Sequence, residues 1–162
     1  MPMPLTDLCF EDACHRLDAA SRDLRDSLTR TIPALAETAW HSDKVRVRVE
    51  PSVEDGRRRR RGFGPRHKTE ARLDAADAET AWQVFAGFGE HHGLTVHRVP
   101  DEEDTLQRYH FAARSDAGDE VRCLIDLPGP WNIPAVALGV FVGPRWRRDG
   151  AATDANRAVL AA

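Results

Sequence analysis

The chain is short of several things, and each shortage excludes something. Its 162 residues hold three cysteines, two methionines and one tyrosine. Three cysteines cannot all pair internally. Cys9 and Cys14 lie five apart on a predicted helix and point to different sides of it, so no disulfide framework is expected. No apolar run approaches the roughly 20 residues a membrane-spanning helix needs. The opening Met1-Pro2-Met3-Pro4-Leu5-Thr6-Asp7 has no basic region followed by an apolar one, so as written it is not a signal peptide and the chain reads as cytoplasmic. A chain already trimmed of an export signal would look the same and belong at the cell envelope.

Spacings that announce common chemistries are missing too. There is no H-E-x-x-H and no paired C-x-x-C for zinc. There is no G-x-S-x-G elbow for a nucleophilic serine. Gly62-Phe63-Gly64-Pro65 lacks the third glycine and the following helix of a phosphate-binding turn, and no Walker lysine is present. Cys14 and His15 are adjacent on a helix and do not face each other. His91, His92, His97 and His110 lack ligand spacing, and Asp101-Glu102-Glu103-Asp104 lacks the glycine-turned loop and distant glutamate of a calcium site. No catalytic residue, metal ligand or cofactor is assigned.

What is present is amphipathic patterning. Hydrophobic content is 41%, charged content 30% and net charge −3, so no global field demands a polyanion or a membrane surface. From Phe10 through Ala13, Leu17, Ala20, Leu24 and Leu28 to Ile32, apolar residues recur three or four apart, which predicts a long helix capped by Thr6 or Asp7. Pro33 ends or kinks it and opens a second short helix running to Trp40. Another helix starts near Asp77, with Asp74 and Asp77 as its capping signal and Gly93 as its stop.

The strands alternate. Val45, Val47 and Val49 interleave with Arg46, Arg48 and Glu50 up to Pro51. Arg66 to Leu73 is expected to pair with that strand across a long loop, Glu54 to Gly64, although a helical reading of this segment stays open. Leu94 to Val99 forms a further strand. Arg108 to Val142 then reads as an antiparallel meander, turning at Ser115-Asp116-Ala117-Gly118-Asp119 and Pro128-Gly129-Pro130. The expected fold is α+β: a mostly antiparallel five- or six-stranded sheet with a long N-terminal helix and a second helix packed on one face. Residues 1–144 make a single domain and 145–162 a loosely ordered tail.

Two features point to partners. Arg57, Arg58, Arg59, Arg60, Arg61, Arg66 and Lys68 place seven positive charges within twelve residues, a run suited to successive phosphates. Phe63 and His67 would add stacking. Trp131, in a proline-rich loop, has the character of an interface anchor. The preferred function is non-catalytic binding of a protein or small ligand. Polyanion or nucleic-acid binding through residues 57–68 comes second. A small enzyme comes third, its site sought on the outer sheet face carrying Arg46, Arg48, His97, His110 and Arg114. None of these readings fixes an oligomeric state.

Several stretches together resemble small actinobacterial lipoprotein-type domains of unknown function. They are the helix ending in Ala39-Trp40, the strand from Val45 to Pro51, Gly93-Leu94-Thr95-Val96-His97-Arg98-Val99, and Ser115 to Arg122 with the valine-rich strand that follows. The resemblance spans roughly Asp7 to Pro144. It implies a helix-backed antiparallel sheet at the cell envelope, and no activity or catalytic residue. Two departures stand out: there is no lipobox cysteine, and the last strand runs into Gly143-Pro144-Arg145 where a terminal cysteine would be expected.

Overall fold

The first apolar stripe folds as helix α1 (Phe10–Thr31) and buries Phe10, Ala13, Leu17, Ala20, Leu24 and Leu28 along one side. A computed structural model describes residues 3–44, 46–51, 58–63, 66–100 and 107–145 of the chain. Thr6 and Asp7 do not cap α1. They sit in a separate 3-10 turn (Leu5–Asp7), and Cys9 occupies the cap without a side-chain hydrogen bond. The reason is tertiary: Leu5 is buried and its carbonyl accepts a hydrogen bond from Arg145 at 2.8 Å, which fixes the segment ahead of the helix. At the other end Ile32 is extended, as a residue before proline tends to be, and α2 (Pro33–Ala36) starts on Pro33. It stops short of Trp40, whose indole N–H donates to Thr29 Oγ1 at 3.0 Å.

Helix α3 (Ala75–His91) carries the expected cap in full. The Asp77 N–H donates to Asp74 at 2.7 Å and the Asp74 N–H to Asp77 at 3.1 Å, a reciprocal capping box. Gly93, at φ 68°, takes the left-handed angle that ends the helix.

The strands are β1 (His41–Ser42), β2 (Arg46–Pro51), β3 (Arg58–Phe63), β4 (His67–Thr69), β5 (Thr95–Val99), β6 (Arg108–Arg114), β7 (Glu120–Asp126) and β8 (Ala135–Arg145). Every ladder among them is antiparallel. β5, β6, β7 and β8 form the meander. The far edge of β8 is shared, with β4 along its start and β3 along its end. β1 pairs with β4 and β2 with β3 in the same register, His41 opposite Lys68 and Pro51 opposite Arg58. The eight segments therefore lie six across, with β5 at one edge and β1 and β2 at the other.

One face of this sheet makes the core. Phe111, Ala113, Val121, Cys123, Ile125, Val136, Leu138, Val140 and Val142 alternate inward, as the meander pattern requires. α1 lies over β8 and alongside α3, and α3 covers β5 and β6. Phe85 of α3 packs on Phe111 with ring centres 5.8 Å apart, and Trp82 sits 5.1 Å from the same ring. Each large apolar side chain buried this way contributes about 1.5–3 kcal/mol of transfer free energy. The α+β architecture with two main helices on one sheet face is as the sequence predicts.

Two strand expectations need correcting. The composition of Glu54–Gly64 predicts a loop, yet Arg58–Phe63 is strand, paired with β2 on one side and with the end of β8 on the other. Ladder hydrogen bonds on both edges outweigh a composition that reads as solvated. The alternation predicts that Val45–Glu50 pairs with Arg66–Leu73. β2 takes β3 instead, and β4 is only three residues long, with Ala71 and Leu73 buried beyond it. Val45, 52–57, Gly64, Pro65, the acidic turn Asp101–Asp104 and residues 146–162, including Trp146 and the expected loose tail, lie outside the described residues. Arg145 itself closes β8 and is buried.

Candidate binding site

The loop between β7 and β8 is built to hold a tryptophan in water. Its ends are anchored by Leu127 and Ala135, both buried. Gly129 and Asn132 form a bridge, with the Asn132 N–H donating to the Gly129 carbonyl at 3.3 Å. Pro130 thus occupies the second position of the turn, where its fixed φ is pre-organised, and Trp131 the third. The Asn132 side-chain amide braces the turn against the Leu127 carbonyl at 3.4 Å. Trp131 is 89% exposed and Ile133, two residues on, is 79% exposed.

The basic candidates lie on the strands that border β8. Arg58, Arg59, Arg60 and Arg61 are in β3, opposite Pro51, Glu50, Val49 and Arg48. Arg57 lies outside the described residues. Arg66 and Lys68 are exposed on the same hairpin, the Arg66 backbone carbonyl accepting the Asp43 N–H at 2.9 Å and Lys68 standing opposite His41. β3 pairs with the Phe141–Arg145 end of β8, whereas the Trp131 loop leads into its Ala135 end. Eleven residues of strand separate the two by about 33 Å. β3, with Arg60 opposite Arg145, thus lies at the far end of β8 from Trp131, whereas Lys68, opposite Ala137, lies at the same end as the Trp131 loop.

On the outer sheet face the charges answer one another. Arg114 reaches Glu120 at 2.7 Å, Arg122 bonds the other oxygen of Glu120 and lies 4.4 Å over the Phe141 ring, and Arg108 holds Asp126 at 2.6 Å. Glu120 is pushed up by partial burial, but its two arginines outweigh that and leave it below the usual carboxylate range. His97 and His110 share this face, as expected, and Nε2 of His110 is buried without a partner. Burial, then the neighbouring Arg122, lowers the His110 pKa. Among the described residues no group of three His, Cys, Asp or Glu side chains is placed to hold a metal.

Between α1 and α3 runs a groove of about 370 Å³, floored by Leu24, Val84 and Phe88 and rimmed by Asp23, His91 and His92. His92 packs on Phe88 at 4.8 Å, and burial lowers its pKa.

Sequence reasoning missed one constellation entirely. His67 of β4 is 2% exposed beneath α1. Its Nδ1 lies 2.7 Å from Ser42 Oγ on β1, and its Nε2 lies 3.4 Å from Ser21 Oγ on α1. No motif joins residues 21, 42 and 67; register and helix docking bring them together. The usable signal was the parity of His67, Thr69, Ala71 and Leu73, all of which are buried.

No protein-family model matches the chain, and no curated protein matches it. No described helix is long and apolar enough to cross a membrane. Among solved structures, a DUF4853 family protein from Actinomyces odontolyticus ATCC 17982 is similar at 12% identity and a TM-score of 0.49, over 82% of this chain and 69% of that one. This weak likeness is to an actinobacterial protein of an uncharacterised family, and it transfers neither an activity nor a lipid anchor.

Proposed function

We propose that this chain is a non-catalytic binding domain that engages a protein partner through the loop carrying Trp131 and Ile133. The observation behind this reading is a tryptophan 89% exposed on a turn braced by Pro130 and by Asn132. A large aromatic left in water raises the free energy of the unbound state, and a braced turn loses little conformational entropy when it docks. The test is recovery of partners from the source organism with three tagged chains: wild type, Trp131→Ala/Ile133→Ala, and a variant with Arg58, Arg59, Arg60 and Arg61 changed to glutamine. Loss of partners with the loop variant alone is the expected result. Full recovery with the loop variant overturns the reading.

A second reading is polyanion binding along the hairpin of Arg57 to Lys68. It draws support from Arg48 standing opposite Arg61, which concentrates basic residues on adjacent strands. Binding of a single-stranded nucleic acid across a salt series tests it, since each phosphate contact steepens the fall of affinity with salt. A flat response removes it.

A further inference from the structure

The proton inventory around His67 fixes its tautomer. Ser21 Oγ donates to the Asp18 carbonyl at 2.8 Å, so its one proton is committed and toward His67 it accepts. Nε2 therefore carries the ring hydrogen. Nδ1 is left with a lone pair, and Ser42, 2.7 Å away, donates its hydroxyl proton to it. The sheet supplies this proximity. The Asp43 N–H bonds the Arg66 carbonyl, so Ser42 and His67 form the neighbouring non-hydrogen-bonded pair, the one in which facing side chains come closest. The same phase turns the backbone N–H of Ser42 away from β4, toward an edge that no described strand covers. His67 is buried while Ser42 is an exposed residue, so their hydrogen bond is part-buried and lies at the boundary between the core and solvent. Burial lowers the His67 pKa, with Arg25 adding to the effect, and keeps the ring neutral near pH 7.

We propose that Ser42 is a nucleophilic acyl-acceptor site, with His67 as its base and Ser21 as the positioning residue that holds the imidazole. The co-substrate class is a small activated acyl donor, an ester or thioester. Ser42 Oγ forms a bond to the acyl carbon as the bond to the leaving group breaks. The hydroxyl proton passes to His67 Nδ1 and then to the leaving group, which departs protonated. No electron transfer is involved. The modification is stoichiometric, so it stands apart from the Trp131 surface and is tested without any partner.

The probe is an alkyl fluorophosphonate, whose phosphorus takes the place of the acyl carbon and whose fluoride leaves. Intact mass should show one adduct per chain, and peptide mapping should place it on Ser42. Ser42→Ala, a change at an exposed edge position, should abolish it, and His67→Gln should slow labelling about 100-fold. Should His67→Gln fail to fold, Ser21→Ala keeps the test decisive, with an expected slowing of about tenfold. The wild-type rate should fall on acidification through a single titration below 6.5, the ordinary histidine value, because burial lowers the His67 pKa. No adduct, an adduct on another residue, or a Ser42 rate that ignores both variants overturns the proposal.

Discussion

Asp119 and Arg145 form an ion pair buried inside the end of the sheet, with side chains 0% and 5% exposed. The Asp119 carboxylate also accepts from Ser115 Oγ at 2.6 Å and from the Gly143 N–H at 2.8 Å, while Arg145 donates to the Leu5 carbonyl. One pair thus joins the β6–β7 turn, the last strand and the segment ahead of α1. Burial alone would raise the Asp119 pKa, but hydrogen bonds from Arg145, Ser115 and Gly143 outweigh it and hold the carboxyl below its ordinary 3.8.

Removing one member leaves the other charged and buried. Asp119→Asn should cost about 3–5 kcal/mol in urea unfolding, and Asp119→Leu combined with Arg145→Met should recover much of that. Because the folded pKa lies below the unfolded one, the Asp119 contribution is present above pH 3.8 and is lost as pH falls through the folded value. In Asp119→Asn this acid-dependent contribution should vanish. An unchanged acid limb would show that other carboxylates control it.

His67, His92 and His110 all have pKa values lowered from 6.5, chiefly by burial. The unfolded chain binds protons first, so their contribution to stability is complete above pH 6.5 and declines as pH falls toward the folded values. Unfolding free energy should therefore drop between pH 7 and pH 5, and His67→Gln, which retains a donor and an acceptor, should flatten part of the slope. The readout is the urea midpoint at constant salt.

Gly143 sits where no side chain fits. A Cβ there would lie 2.1 Å from the Ala117 carbonyl oxygen, which is backbone and cannot rotate aside. Gly143→Ala should destabilise the fold by about 1–3 kcal/mol through overpacking. The control is Gly87→Ala on α3, where a Cβ meets nothing within 4 Å. Alanine there should be neutral or stabilising, since it favours the helix.

Thiol chemistry should grade the cysteines. Cys123 is fully buried and its thiol is pushed up to about 12, while Cys14 is raised to about 11, mainly by burial. Alkylation of the native protein at pH 8 should leave Cys123 unmodified until denaturant is added. Rapid native labelling of Cys123 would contradict the packing of β7 against the helices.

Trp131→Ala should change unfolding free energy by no more than about 0.5 kcal/mol, as expected for a side chain 89% exposed. Phe111→Ala, at 1% exposure within the Trp82–Phe85 cluster, should cost about 3–5 kcal/mol. That contrast separates a side chain whose removal leaves the core intact from one that belongs to it.

Periodicity alone was enough for α1, α3 and the meander. In each of them burial follows a regular repeat, and a repeat of three to four or of two is written directly in the order of residues such as Leu17–Leu24–Leu28 and Val121–Cys123–Ile125. The Asp74–Asp77 cap was equally legible, because both partners lie three residues apart. What the sequence could not decide was anything resting on contact between distant segments. The arginine run looks like loop until β2 and the end of β8 offer it partners. Asp119 looks like a turn residue until Arg145, 26 positions later, reaches it. Ser21, Ser42 and His67 share no spacing, and their alignment depends on the docking of α1 and the pairing phase of β1 with β4. Local order is set by each residue and its near neighbours, whereas these sites exist only where sheet register closes long stretches of chain, and register is a property of the whole packed layer.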